Sequence, residues 1–270
     1  ELIERAANDE TIFRCLGIEE CFWDYIAESW RNGEKNIYGR MDLSYDGEGP
    51  AKLLEYNADT PTTLYESSVF QWEWLEQAME KGLIPDGCDQ FNDLHDSIVK
   101  AFSLIDFDGS LHFACVGDIE DDKGTVDYLE ECAREAGLST CFLSMQEIGI
   151  DDRGCFTDLD DQVIKTLFKL YPWEWMFEEE FGRRVPASGT RFLEPPWKAV
   201  LSNKGLMAFL WEMFPGHPNL LPAYFDGDRR ASELAGSFVR KPLLSRQGAN
   251  VQIIHEGKTQ ARSGGPYGEG

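Results

Sequence analysis

The stretch between residues 92 and 170 alternates between helical and strand-like patterns, and this alternation constrains the fold more than any other feature. A helical pattern at 92–104 precedes the apolar run LHFACVG at 111–117. A second helical pattern, GTVDYLEECAREAG, ends at Gly137 and is followed by the strand-like run STCFLSM. Strands that alternate with helices usually form mostly parallel sheets covered by those helices. The sequence therefore predicts an α/β fold with a small, mostly parallel sheet.

The rest of the chain has weaker periodic patterns. The first 35 residues are predicted to be helical, because apolar residues recur near helical spacing. A helix is predicted at 63–80, where Thr63 and Glu66 have the spacing of a capping box. The other predicted elements are a helix at 203–214 and two strands at 237–244 and 250–257.

Charge and cysteine content limit the partners and the compartment. The chain has 49 acidic and 25 basic residues and a net charge of −24, so we expect neither nucleic acid nor an anionic membrane as partner. Seven cysteines without a CxxC pair fit reduced thiols in the cytoplasm better than disulfides or zinc. The four histidines are too scattered to predict a metal cluster.

Because the chain begins with Glu1 and stops in mid-pattern at SGGPYGEG, we expect an interior piece of a longer protein.

Residues 38–57 are predicted to form a β-hairpin around a DG turn. Side chains alternate between the two faces of a strand, so Arg40 and Asp42 share one face. Glu55 and Asn57 share a face for the same reason. If the hairpin is regular, Arg40 lies near Asn57. The same register brings Asp42 near Glu55.

Two carboxylates directly opposite one another repel by roughly 0.2–1 kcal/mol, and a cation between them offsets that cost. The oxygens of Asp42, Glu55 and Asn57 are hard ligands suited to Mg²⁺. Arg40 beside such a site is placed to stabilise negative charge on a transferring phosphoryl group. The alternative is an exposed hairpin in which Arg40 simply neutralises the acids.

The sequence DTPT at 59–62 leads into the predicted helix. Helix N-termini offer free N–H groups and a positive dipole end, which favour carboxylates and phosphates. The hydroxyls of Thr60 and Thr62 are placed to join such a pocket. The alternative is plain capping of the helix without a ligand.

Four further residues are weaker candidates on sequence alone. Lys204 stands at a helix start, and Lys241 lies on a predicted strand that feeds a turn containing Gly248. Backbone N–H groups of such a turn wrap phosphates, although a strand lysine is usually just solvated. Glu120 follows a strand end, a common place for ligand contacts, or belongs to a solvated acidic loop. Trp173 of YPWEW belongs to an aromatic packing corner or lines a cleft. We keep Glu120 and Trp173 as candidate substrate contacts.

Several stretches together resemble the synthetase domain of the glutathionylspermidine synthase family, most closely its short standalone bacterial members. They follow the family's order over nearly the whole chain: YGRMDL, KLLEYNADTPTTLYE, QFNDL, GTVDYLEECA, FTDLDDQVIKTLFKLYPWEW, EPPWKAVLSNKGLMAFLWEMFPGHPNLLPAYF and VRKPLLSRQGANV. The resemblance implies an α/β (α+β) class, with an ATP-grasp fold preceded by a pre-ATP-grasp α/β domain and present here as a truncated piece. A further nucleotide-binding segment of the family is expected beyond this sequence.

The resemblance also implies individual roles. Arg40 corresponds to the catalytic arginine. The magnesium ligands of the family correspond to Asp42, Glu55 and Asn57. The nucleotide-binding residues correspond to Lys204, Lys241, Arg246, Gln247, Gly248 and Ala249. Serines that hold the peptide in bifunctional members fall at Thr60 and Thr62, so hydroxyls are kept in a changed sequence.

The implied function is an ATP- and Mg²⁺-dependent carboxylate–amine ligase that joins a glutathione-like peptide to an amine such as a polyamine through an acyl phosphate. The alternative is a nucleotide- or peptide-binding module, or a partner subunit, without ligase turnover.

We predict that the chain is divided into three segments. They are 1–80 with the N-terminal helix, the hairpin and a core helix, 81–195 as the pre-ATP-grasp-like α/β domain, and 196–270 as the first part of the ATP-grasp nucleotide-binding region.

Overall fold

The computed structural model describes residues 1–266. The α-helices of this part are α1 (Leu2–Ala6), α2 (Glu10–Cys15), α3 (Trp23–Arg31), α4 (Gln71–Glu80), α5 (Leu94–Ser103), α6 (Glu120–Glu135), α7 (Trp173–Glu178), α8 (Lys198–Leu201) and α9 (Leu206–Met213). The strands are β1 (Arg40–Ser44), β2 (Lys52–Asn57), β3 (Leu111–Cys115), β4 (Thr140–Ser144), β5 (Gly149–Ile150), β6 (Phe156–Thr157), β7 (Thr166–Leu170), β8 (Arg191–Leu193), β9 (Phe238–Arg240), β10 (Gln252–His255) and β11 (Lys258–Arg262).

The chain packs as two compact units. Within the described residues, the first unit contains residues 1–34, 40–58 and 196–266, and the second contains residues 35–39 and 59–195. Residues 59–80 therefore pack with the central segment. The division into three functional segments at residues 80 and 195 stays a prediction. Among residues 1–266, no helix is both long and apolar enough to cross a membrane.

The second unit is built on a four-stranded parallel sheet in the order β4-β3-β7-β8. This arrangement confirms the predicted α/β fold. Strands β3 and β7 are buried along their whole length, as expected for central strands of a sheet covered on both faces. Phe102 of α5 and Leu129 of α6 join Phe113 of β3 in the core. Of the four strands of this sheet, the sequence analysis predicted only β3 and β4.

A buried ion pair joins β7 to the segment that follows the hairpin. The Nζ atom of Lys169 donates to Oδ1 of Asp59 at 2.7 Å, and both side chains are at most 1% exposed. Asp59 Oδ2 accepts the backbone N–H of Trp173 at 2.7 Å, and Lys169 also donates to the carbonyl of Tyr171 at 2.8 Å. Burial raises the pKa of the Asp59 carboxyl and lowers the pKa of the Lys169 ammonium, while their contact opposes both shifts. The pair holds the Asp59 segment against the sheet.

The predicted capping box at residues 63 and 66 is wrong. Thr63 has a φ of +69°, whereas an N-cap residue normally has an extended backbone. The chain becomes helical at Leu64, forms a π-type turn over 66–70 and continues into α4. Instead of capping with its side chain, Thr63 uses its carbonyl to accept the N–H and the hydroxyl of Ser67.

The first unit combines N-terminal helices, the β1–β2 hairpin and a three-stranded antiparallel sheet in the order β11-β10-β9. The predicted helical start is confirmed as three short helices, whose core includes Phe13 stacked on Trp23 at 6.0 Å. Strand β9 ends at Arg240, earlier than predicted. Pro242 follows two residues later, and proline cannot donate to a strand ladder. The sequence analysis did not assign β11.

We predict that Lys169→Met lowers the free energy of unfolding by about 3–5 kcal/mol, because it leaves the Asp59 carboxylate buried without its cation. Urea unfolding measures this change. The matched control is Lys165→Met in the same unit. Lys165 pairs with Asp108 at 2.6 Å, and the side chains are 55% and 82% exposed, so its loss is expected to cost less than about 1 kcal/mol. Equal costs for the two variants would contradict the buried-pair assignment.

Candidate active site

The hairpin has the predicted register. Arg40 lies opposite Asn57, and Asp42 lies opposite Glu55. The period-two alternation therefore brings two carboxylates, an amide and a guanidinium together, all half-buried. Because directly opposed carboxylates repel, the next question is which groups offset their charge.

Arg40 and Asn57 contact the carboxylates directly. Arg40 makes a two-point contact with Asp42, with Nε 2.7 Å from Oδ1 and Nη2 3.2 Å from Oδ2. Asn57 Nδ2 lies between the two acids, 3.3 Å from Asp42 Oδ2 and 3.5 Å from Glu55 Oε1. The contact with Arg40 is the main reason that the pKa of Asp42 lies below its usual value. Asp42 is therefore ionised at neutral pH.

Lys204 contacts the second carboxylate. Its Nζ lies 3.4 Å from Glu55 Oε2 and donates to the carbonyl of Ser245 at 2.8 Å. Its backbone N–H donates to the carbonyl of Leu243 at 2.8 Å. Lys204 lies two residues before α9, close to its predicted place at a helix start. The two hydrogen bonds to carbonyl groups attach Lys204 to the segment after β9, and its Nζ faces Glu55 of the hairpin.

Lys241 approaches the hairpin at an irregularity. The register passes from Asp42 opposite Glu55 to Leu43 opposite Leu53, so Leu54 is the extra residue of a β-bulge. Lys241 Nζ lies 3.4 Å from the carbonyl oxygen of Leu54. Burial lowers the pKa of Lys241, and Lys204 adds to the shift while the two carboxylates oppose it. Lys241 was predicted to lie on a strand, but it follows the end of β9 directly.

The predicted phosphate loop forms a tight turn. The N–H of Ala249 donates to the carbonyl of Arg246 at 2.9 Å. Gln247 and Gly248 have φ angles of +51° and +71°, a left-handed conformation that favours glycine. Among residues 1–266, the N–H groups of Gln247 and Gly248 make no hydrogen bond. They are therefore available to an anion.

Asn203 and Gly205, which the sequence analysis did not single out, position Lys204. Asn203 donates from Nδ2 to the carbonyl of Leu16 at 2.8 Å, and its Oδ1 accepts the N–H of Gly205 at 2.9 Å. A Cβ atom on Gly205 would lie 2.7 Å from Leu16 Cδ2, so only glycine fits without a shift. Asn203 also lines a small cleft with Glu55 and Lys204. In the sequence, only the position of Asn203 and Gly205 on either side of Lys204 indicates their role.

The candidate substrate contacts all lie in the second unit. Thr60 and Thr62 are half-buried in the segment before the helix. Glu120 is exposed and is the first residue of α6 rather than part of a loop. Trp173 is fully buried, with its Nε1 donating to the carbonyl of Glu194 at 3.2 Å. Its placement matches the aromatic packing corner and gives the assignment as a substrate contact no support.

A second cluster was not anticipated from the sequence. His112 and Cys141 are register partners on β3 and β4, and His112 Nε2 lies 3.2 Å from Asp158 Oδ2. Ligand-type atoms of these three residues all lie within 4.8 Å of one another. Asp158 Oδ1 accepts the backbone N–H groups of Asp160 and Gln162. The position of Asp158 is therefore explained by its bonds within the turn at residues 158–162 and by its bond to His112.

The hairpin residues fit a hard divalent cation. Mg²⁺ prefers oxygen ligands and commonly binds through a few carboxylates plus phosphates. Asp42 and Glu55 supply carboxylate oxygens on facing strands. The amide of Asn57 already lies between them, and a half-turn of its plane exchanges Nδ2 for Oδ1.

Comparison with known proteins identifies the family. A sequence model of the family described as glutathionylspermidine synthase preATP-grasp matches residues 1–270, and the chain belongs to this family. The resemblance drawn from the motifs is thus confirmed.

Named relatives are longer than this chain. It is 46% identical over 231 residues to the "Putative acid--amine ligase" of Haemophilus influenzae, covering 84% of this chain and 57% of that protein. It is 28% identical over 296 residues to the "Trypanothione synthetase" of Crithidia fasciculata, covering 100% and 44%. It is 24% identical over 292 residues to the "Bifunctional glutathionylspermidine synthetase/amidase" of Escherichia coli, covering 98% and 46%. The chain therefore spans about half the length of the curated relatives that it matches.

We predict that Lys241→Met raises the free energy of unfolding of the ligand-free protein by about 0.5–2 kcal/mol, the usual range for a stabilising substitution. A lysine whose pKa is lowered by folding opposes folding while it is protonated, and methionine removes that charge. Urea unfolding near pH 7 measures the change. The exposed Lys258 of β11 gives the control, since Lys258→Met is expected to stay within about 0.5 kcal/mol of wild type. Destabilisation by Lys241→Met would contradict the interpretation that burial of the charged Lys241 opposes folding.

Proposed function

We propose that this chain carries the catalytic hairpin and part of the nucleotide site of an ATP- and Mg²⁺-dependent carboxylate–amine ligase. The observation that carries the proposal is the meeting of two opposed carboxylates with three cationic side chains on and beside one hairpin. Family membership and the named ligases and synthetases among the relatives support the same reaction class.

In this proposal the nucleotide phosphates contact Lys204, Lys241 and the turn at residues 246–249. Lysine supplies point charges for phosphate, and free backbone N–H groups of a turn supply directional donors. Asp42, Glu55 and Asn57 would hold Mg²⁺, and the ion would neutralise charge on the transferring phosphoryl group. These roles follow the family assignments stated for the same residues.

The proposed reaction has two steps. A carboxylate oxygen of the peptide attacks the γ-phosphorus of ATP, which forms an acyl phosphate and releases ADP. The amine nitrogen then attacks the acyl carbon, an amide forms, and inorganic phosphate leaves as the amine loses a proton. Arg40 stabilises the negative charge on the phosphoryl oxygens during the first step. Its two-point contact with Asp42 fixes the orientation of the guanidinium.

We propose a glutathione-like peptide as acyl donor and a polyamine-like amine as acceptor. Names of the relatives support these classes, and a net charge of −24 favours a cationic acceptor. Thr60 and Thr62 are the proposed peptide contacts, and Glu120 is a further candidate.

We propose a cytoplasmic location, where free thiols persist. The seven cysteines are all free thiols.

An ADP-release assay on the complete polypeptide tests the ligase proposal. Glutathione and a panel of polyamines serve as substrates, and mass spectrometry identifies the conjugate. ADP release that depends on both substrates supports a ligase. If nucleotide raises the melting temperature but no amine elicits ADP release, the chain is part of a binding module or a partner subunit instead.

We predict that Glu55→Gln lowers Mg²⁺-dependent ADP release at least ~100-fold, because a bound divalent cation supplies several kcal/mol of transition-state stabilisation. The free energy of unfolding is expected to change by less than about 1 kcal/mol, since the contact of Glu55 with Lys204 is partly exposed.

Glu48→Gln is the matched control, because Glu48 is an exposed acid at the tip of the same hairpin. It is expected to keep wild-type activity. A folded, active Glu55→Gln enzyme would remove Glu55 from the metal site.

A further inference from the structure

Each of the two hairpin carboxylates has a donor from within the chain. Arg40 contacts Asp42, and Lys204 contacts Glu55. Asn57 Nδ2 contacts both acids from between them. The oxygens proposed to bind a cation are therefore engaged by side chains of the chain itself.

We infer that Lys204 is the internal counter-ion of the cation site, so that the divalent cation binds well only once nucleotide phosphates have drawn Lys204 away from Glu55. This inference rests on the proposed function and adds a coupling between its two ligands. Lys204 has two roles in it: it occupies the metal-binding carboxylate in the free protein, and it binds phosphate in the loaded protein.

The charges around the hairpin favour this order. Asp42 and Glu55 contribute two negative charges. Arg40, Lys204 and Lys241 contribute three positive ones around them. Among residues 1–266, these contacts sum to a net positive charge, which disfavours a free divalent cation, whereas the same lysines attract a nucleotide polyphosphate.

Lys204 is anchored through its backbone and can exchange partners with its side chain. Its N–H donates to the carbonyl of Leu243, and the preceding residue, Asn203, is fixed by its bond to the carbonyl of Leu16. The contact of Nζ with Glu55 is the longer of its two side-chain contacts, at 3.4 Å against 2.8 Å to the carbonyl of Ser245. Phosphates bound at the neighbouring turn, residues 246–249, therefore compete with Glu55 for the ammonium.

Asn57 completes the exchange. Its Nδ2 now stabilises the pair of carboxylates as a donor. A cation between the carboxylates takes over that charge compensation, and rotation of the amide by a half-turn presents Oδ1 as a third oxygen ligand. Nucleotide and cation then raise each other's affinity, since coupling between two sites is reciprocal.

Mn²⁺ binding to the complete polypeptide tests the inference, with free Mn²⁺ followed by electron paramagnetic resonance with and without ADP. Wild type is expected to bind Mn²⁺ at least about tenfold more tightly with ADP, which corresponds to about 1.4 kcal/mol of coupling. Lys204→Met is expected to bind Mn²⁺ without ADP at least about tenfold more tightly than wild type and to lose the coupling.

Lys258→Met is the control, because it removes the same charge from an exposed lysine of the same unit. It is expected to behave as wild type, so that a general effect of net charge is separated from the loss of Lys204.

Equal Mn²⁺ affinity of wild type and Lys204→Met without ADP would overturn the inference. In that case, loss of Mn²⁺ binding in Asp42→Asn would leave the proposed metal site intact. Absence of Mn²⁺ binding by wild type even with ADP would overturn the proposed function as well as the inference. Circular dichroism of each variant separates these results from misfolding.

Discussion

The repulsion between Asp42 and Glu55 on facing strands is the constraint around which the hairpin site is built. A regular antiparallel pair places two such side chains close enough to cost roughly 0.2–1 kcal/mol. Arg40 and Lys204 each contact one of the acids, and Asn57 contacts both. The same unfavourable pair that demands these partners is also the proposed site for a divalent cation.

The rest of the first unit positions Lys204. The N–H of Lys204 bonds to the carbonyl of Leu243, which links the start of α9 to the segment after β9. Asn203 bonds to Leu16 near the end of α2, and Gly205 allows the close approach that this bond needs. The N-terminal helices thus help to position Lys204 through the contacts that Asn203 and Gly205 make with Leu16.

The sequence predicted those parts of the molecule whose causes are local. Period-two alternation determined which residues of β1 and β2 face one another, and helix–strand alternation predicted the parallel sheet. The partner of Lys204 could not be predicted in this way, because Ser245 lies 41 residues away and Leu16 lies 187 residues from Asn203. Thr63 misled the capping prediction, since its left-handed backbone is a property of the folded corner. Asp59 looked like part of that corner but is buried with Lys169.

The bulge at Leu54 separates the hairpin into two halves that can vary independently. On the inner side of the bulge, regular pairing keeps Asp42 opposite Glu55 and Arg40 opposite Asn57. On the outer side, the exposed tip between residues 45 and 50 is connected through one residue that lies outside the ladder. An inserted or deleted residue at the tip changes the phase of the outer strands only, because the bulge absorbs it before it reaches Glu55. The fold can therefore change the length of the hairpin tip while the chemistry at its base is kept.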